Sequence, residues 1–169
     1  MSRIISPPPV QYLRTEAIRG GMDLLMFAHK SHLTHADAAL AAQGLGRAHH
    51  RVLYIVSRYP GGKVGQILSF LGITKQSLGR IMKDLIEKDM VELRPGERDR
   101  RTRLVFLTSK GRELEKALFN ELHENMARAY AAGKTAVEGY WTLMQHLMSP
   151  SAHENFTAFN QQPLKAEAA

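Results

Sequence analysis

Residues 73–114 read ITKQSLGRIMKDLIEKDMVELRPGERDRRTRLVFLTSKGREL, and within this stretch the spacing of apolar positions changes once. Up to Lys88 the spacing is helical. Leu78, Ile81, Met82, Leu85 and Ile86 fall at three- and four-residue steps and form one stripe. Thr74 suits the N-cap, because its hydroxyl can accept an early backbone N–H, so a helix is predicted over 75–88. From Val91 the period drops to two. Val91-Glu92-Leu93-Arg94 reads as a strand, Pro95-Gly96 as a turn, and Arg103 to Leu107 as a returning strand. Thr108 then caps a helix predicted over 109–131. In it Leu114, Leu118, Leu122 and Met126 recur every four residues, and Gly133 stops it.

Working towards the N-terminus, Gly72 allows a tight turn before Thr74. A short helix is predicted over 63–71, with Val64, Ile67, Leu68 and Leu71 on one face. Pro60, Gly61 and Gly62 separate it from a helix over about 47–58. A long helix is predicted over 11–41, carrying Tyr12, Ile18, Met22, Leu25, Met26 and Leu33 and weakened at Gly20-Gly21. Pro7, Pro8 and Pro9 make an extended arm. Towards the C-terminus, a helix over about 135–148 carries Val137, Trp141, Met144, Leu147 and Met148. Pro150 marks its end, and a polar tail from Ser151 holds Phe156 and Phe159 as anchors.

The order helix, glycine turn, helix, two-stranded hairpin is that of a winged helix-turn-helix, whose second helix lies in the DNA major groove. The fold class expected is therefore mainly α with a small antiparallel β wing, with dimerisation helices at both ends of the chain. Residues 1–10 form an arm, 11–44 and 111–150 the dimerisation helices, 45–110 the winged domain, and 151–169 a tail. The apolar seams outside the winged domain are too extensive for a small monomer to bury, which predicts a homodimer.

Charge agrees with this division. Residues 44–110 carry fourteen basic and six acidic side chains, net +8, whereas residues 111–169 are net −2. No Asp or Glu occurs from Ala38 through Lys83. A basic middle framed by near-neutral flanks suits a polyanion.

Within the second helix, Gln76, Arg80, Lys83 and Glu87 lie opposite the apolar stripe, with Lys75 and Ser77 beside them near the N-terminus. Gln pairs bidentately with adenine and Arg with guanine, so Gln76 and Arg80 are the expected base readers. Lys75 and Lys83 are expected on phosphates, with Thr74 and Ser77 at the helix start. Gly79 leaves room for close backbone approach. The hairpin tip carries Arg94, Arg98, Arg100, Arg101 and Arg103 against Glu97 and Asp99. Arg is attracted to the negative potential of a narrow minor groove. Asp99 is expected to pair with Arg101 or Arg100 and hold the tip in shape. A solvated helix face and a polar tip that blocks edge aggregation are the plainer readings of the same residues.

The run ERDRRTRLVFLTSKGREL, 97–114, resembles the wing and following helix of MarR-type regulators. It shows an Asp, two basic residues, an alternating strand and Leu-Thr-x-x-Gly, here Asp99, Arg100, Arg101, Leu107, Thr108 and Gly111. Residues 73–91 fit that family's recognition helix. The resemblance implies a homodimer with interlaced terminal helices on a pseudo-palindromic operator. It also implies a wing Arg, here Arg101, in the minor groove. Many such proteins are repressors released by a small lipophilic effector held between the dimer layer and the winged domain. Lys75-Gln76-Ser77 departs from the small or acidic residues common at the recognition-helix start, so no operator sequence carries over.

Other classes are bounded. There is no cysteine, which removes disulfides, thiol sensing and sulfur-ligated zinc. His29, His32 and His35 step progressively around a helix, and even with Asp37 or Glu16 they make no recognised metal pattern, so no metal or cofactor is expected. No nucleophile elbow, phosphate loop or paired-carboxylate motif surrounds Ser57, His50 or Asp37, so no enzyme is expected. No apolar run spans a bilayer and MSRIISPPPV lacks the core of a secretory signal, so a cytoplasmic protein is expected. Two rivals stay open: a nonspecific nucleoid-type DNA-binding protein, and a winged module for ligand or protein that does not bind DNA.

Overall fold

A computed structural model describes residues 7–97 and 99–161. The first six residues of the arm, Arg98 and residues 162–169 lie outside the described residues, and with them the expectation for Arg98. The elements are α1 (Thr15–Ala42), α2 (Arg47–Arg58), β1 (Gly62–Lys63), α3 (Val64–Leu71), α4 (Lys75–Glu87), β2 (Val91–Pro95), β3 (Arg103–Leu107), α5 (Ser109–Gly133), α6 (Ala136–Leu147) and α7 (Pro150–Asn160). A single 3-10 turn, Pro9–Gln11, precedes them. The fold is mainly helical with a small antiparallel sheet, as the periodicities predict.

Local chemistry sets most boundaries. Thr74 accepts a hydrogen bond from Ser77 N at 3.1 Å and caps α4. Thr108 does the same for Gly111 N at 3.0 Å and caps α5. Gly72 ends α3 in the left-handed region at φ +61°, where a side chain would be strained. α1 begins four residues later than expected, leaving Tyr12 outside it, and it runs unbroken through Gly20-Gly21.

Two elements differ from the sequence reading. β1 joins the hairpin, giving the sheet order β1-β3-β2 with Gly62 opposite Val105 and Leu93 opposite Val105 on the other side. Two residues are too few to show a period. The second difference is at the C-terminus, where 151–160 is not a polar tail but part of α7. Ser149 accepts from Ala152 N at 3.2 Å, and Pro150 occupies the first helical position. A proline there costs nothing, because that N–H has no intrahelical partner. Phe159 does act as an anchor, its ring 5.2 Å from Phe70 and 6.4 Å from Tyr54.

The core lies under the winged domain. Val52, Leu53 and Val56 of α2 meet Ile67 of α3, Leu78 and Leu85 of α4, Val105 of β3 and Leu118 of α5, all fully buried. Burying a Leu or Ile side chain contributes about 1.5–3 kcal/mol each. The C-terminal half of α1 closes this core through Ala36 and Leu40. The apolar stripe of α4 is narrower than expected: Ile86 is exposed. At 100° per residue Ile86 lies about 80° from Leu78 in projection, at the stripe's edge.

The start of α5 is pressed against the turn between α4 and β2. Thr108 N donates to Met90 O at 3.1 Å, and Thr108 Oγ1 donates to Asp89 O at 2.6 Å. A Cβ built on Gly111 would stand 1.9 Å from Met90 O. The Leu-Thr-x-x-Gly segment thus caps α5 and also admits the close backbone contact that seats the wing on α5.

Candidate nucleic-acid interface

The recognition-helix face forms as its sequence predicts. Lys75, Gln76, Ser77, Arg80 and Lys83 are all exposed. Among the described residues, Lys75, Gln76 and Arg80 make no side-chain hydrogen bond or ion pair. Thr74 and Ser77 are partly committed, since Thr74 Oγ1 donates to Ser77 Oγ at 2.9 Å. Lys83 Nζ lies 3.7 Å from Glu87 Oε1, an exposed pair of little net value that leaves the ammonium available.

The wing is held differently from the expectation. Asp99 does not pair with either guanidinium. Its Oδ1 accepts from the backbone N of Arg101 at 2.9 Å, and its Oδ2 accepts from Thr102 Oγ1 at 3.1 Å. The tip closes with Thr102 N on Asp99 O at 3.0 Å and Gly96 N on Thr102 O at 2.9 Å. An Asp that binds the backbone two residues on shapes a turn by itself. The guanidiniums of Arg100 and Arg101 are left exposed and, among the described residues, without partners.

Three arginines elsewhere are tied to the fold. Arg47 grips Asp37 with two hydrogen bonds of 2.8 and 2.6 Å, and this holds the Asp37 carboxyl below the usual carboxylate range. Asp37 is therefore committed to joining α1 to α2. Arg94 binds Glu92 and lies 4.5 Å over the Phe106 ring. Arg112 donates to Leu107 O at 2.9 Å. Sequence alone does not separate these tethered cations from the free ones, because all sit in the same basic stretch.

Three histidines, His32, His35 and His49, serve the joints between helices. Gly46 N donates to His49 Nδ1 at 3.1 Å, so the ring proton is on Nε2, which donates to Asp84 Oδ2 of α4 at 3.1 Å. Asn125 of α5 bridges His32 and His35 of α1 at 2.8 and 3.0 Å. His50 is buried. Burial first, and His32 second, hold its imidazole below its ordinary value of 6.5. A base with a lowered folded value binds fewer protons folded than unfolded. It therefore contributes stability above about pH 6.5 that is lost as pH falls towards the folded value. The melting temperature is expected to fall on acidification below that point, and His50→Gln is expected to flatten this slope. An unchanged slope in thermal melts across that range would contradict the assignment.

Helix, glycine turn, exposed helix and arginine-tipped hairpin together define a winged helix-turn-helix regulator. The MarR family model matches residues 43–102. The chain is 38% identical over 146 residues to the HTH-type transcriptional regulator PetP of Rhodobacter capsulatus, covering 86% of this chain and 88% of the relative. A mutant MarR from E. coli complexed with operator DNA superposes with a TM-score of 0.61 at 22% identity, over 80% of this chain and 99% of that one. CouR from Rhodococcus jostii, bound to p-coumaroyl-CoA, gives 0.61 at 22% identity, over 75% and 90%. The chain belongs to the MarR family of transcription regulators, and as such it is not an enzyme. Among the described residues, no helix is long and apolar enough to cross a membrane.

Proposed function

We propose that this regulator works in the cytoplasm as a homodimer on a pseudo-palindromic operator, and that a small effector releases it. The observation that carries the DNA reading is the contrast between tethered and free cations. Arg47, Arg94 and Arg112 are tied to the fold, while Lys75, Arg80, Arg100 and Arg101 are exposed and uncommitted. Gln76 and Arg80 read bases, Lys75 and Lys83 fix register on phosphates, and Arg101 enters the minor groove. Homologues solved with operator DNA and with an acyl-CoA support both halves of the proposal.

The dimer is supported by what one chain leaves uncovered. Met22, Leu24, Met26 and Phe27 on α1, and Trp141, Leu143 and Leu147 on α6, are all exposed. Apolar surface on this scale marks an association face. Leu24→Glu with Phe27→Glu is expected to give a folded monomer in sedimentation, with operator affinity greatly reduced. A double variant that remains dimeric would move the interface elsewhere.

The deciding experiment compares the protein's own upstream intergenic DNA with random DNA of equal length at two salt concentrations. Preference of about a hundredfold or more is expected for the native fragment. Equal binding would favour the nonspecific reading, and no binding the winged module without DNA. Gln76→Ala is expected to relax base preference by about 1–3 kcal/mol while leaving nonspecific binding in place. An equal loss on every sequence would show that Gln76 is no reader.

A further inference from the structure

α4 carries two carboxylates, Asp84 and Glu87. Asp84 is the first acid after a stretch, Ala38 through Lys83, whose only charges are basic. In projection down α4 it lies about 40° from Arg80 and about 20° from Ser77. It therefore stands on the face assigned to DNA and not on the buried stripe, and its side chain is half exposed. A carboxylate there has two adverse effects. It repels phosphates, and it can pair with Arg80 one turn earlier, because residues four apart on a helix are neighbours.

The pairing with Arg80 does not form. Among the described residues Arg80 has no hydrogen-bond or ion-pair partner. Asp84 turns instead to α2, where its Oδ2 accepts from His49 Nε2 at 3.1 Å. His49 is itself fixed by the start of α2. Gly46 N donates to its Nδ1 at 3.1 Å, which leaves Nε2 as the donor. The His49 side chain is only 17% exposed, so the imidazole has little room to follow a moving carboxylate. The joint between α2 and α4 does not depend on this bond, since Leu53, Leu78 and Leu85 already bury it, and a half-exposed polar pair adds little to stability.

We infer that His49 is a positioning residue for DNA recognition, an inference that rests on the reading of Arg80 as a base reader. Its imidazole holds the Asp84 carboxylate against α2, so that Arg80 stays free for a base. His49 touches no DNA in this arrangement and acts only through Asp84.

The test is a double-mutant cycle of His49→Ala and Asp84→Asn in the full-length protein, read as affinity for the upstream fragment at one salt concentration and one pH. His49→Ala is expected to weaken binding about two- to fivefold, as Asp84 competes for Arg80. Asp84→Asn in that background should restore at least the original affinity, because the released charge is gone. With His49 in place the same change should have a smaller effect. The cap lost at Gly46 is common to both alanine proteins and cancels. His49→Glu keeps an acceptor for Gly46 N but cannot donate, so it serves the same comparison if the alanine variant does not fold. A bond that merely clamps α2 to α4 would give no recovery in the double variant. That result, unchanged affinity in His49→Ala, or an equal Asp84→Asn factor in both backgrounds would overturn the inference. NMR of the Arg80 Nε–Hε group without DNA gives a second reading. Its signal should move in His49→Ala and return in the double variant, and an unmoved signal would equally overturn the inference. Because those spectra contain no DNA, failure of the operator reading would appear only as absent binding of the unmutated protein to the upstream fragment.

Discussion

Arg101→Ala is expected to weaken binding to the upstream fragment by roughly ten- to a hundredfold, about 1–3 kcal/mol, while the protein stays folded and dimeric. The reason lies in how the wing is built. Asp99 holds the tip through the backbone N of Arg101 and the hydroxyl of Thr102, so the turn does not use the Arg101 guanidinium. Removing that guanidinium therefore takes away the proposed DNA contact without loosening the hairpin. The salt dependence of binding should also fall by about one counterion. Arg101→Lys, which keeps the charge but not the planar fork, should recover part of the loss. Asp99→Ala makes the complementary case: every arginine remains, but the tip loses two hydrogen bonds, and affinity should fall through loss of preorganisation. Mobility shifts with sedimentation on the same samples separate these cases. Unchanged affinity in Arg101→Ala, or loss of the dimer, would refute the minor-groove assignment.

Gly111→Ala should destabilise the fold by about 2–4 kcal/mol, a fall in melting temperature of roughly 5–15 °C at this chain length. The added Cβ meets a backbone carbonyl, Met90 O at 1.9 Å, rather than a flexible side-chain end. Relief requires α5 to move away from the α4–β2 turn, which breaks the Thr108 hydrogen bonds to Met90 O and Asp89 O. Gly79→Ala is the control. Nothing lies within 4 Å of its added Cβ, so an alanine there should stabilise α4 by about 0.5–1 kcal/mol. If Gly79 allows close backbone approach to DNA, this more stable variant should bind the operator more weakly. Urea or thermal melts of the two variants give opposite signs if the packing is as described, and equal signs would refute it.

The fold class, the element order and most helix limits follow from local signals in the sequence. Thr74 and Thr108 are caps, Gly72 is a left-handed stop, and the change of period after Lys88 separates recognition helix from wing. Each rests on chemistry within about four residues. The exposure of Gln76 and Arg80 is similarly legible, because the opposite side of an amphipathic helix is set once Leu78, Met82 and Leu85 are buried.

What lay beyond local signals depended on partners distant in the chain. β1 exists because Gly62 and Lys63 meet Val105 and Leu104 of β3. α7 was hidden because Pro150 is equally a stop for one helix and a start for the next, and its packing of Phe159 on Tyr54 and Phe70 is visible only in three dimensions. The division of one basic stretch into tethered and free arginines belongs here as well. The sequence by itself determined where backbone hydrogen bonding had to begin, end and change period, since those choices are made by adjacent residues. Tertiary structure decided which charges were neutralised and where α7 packs, because Coulombic pairing and packing act between side chains that the chain brings together only on folding.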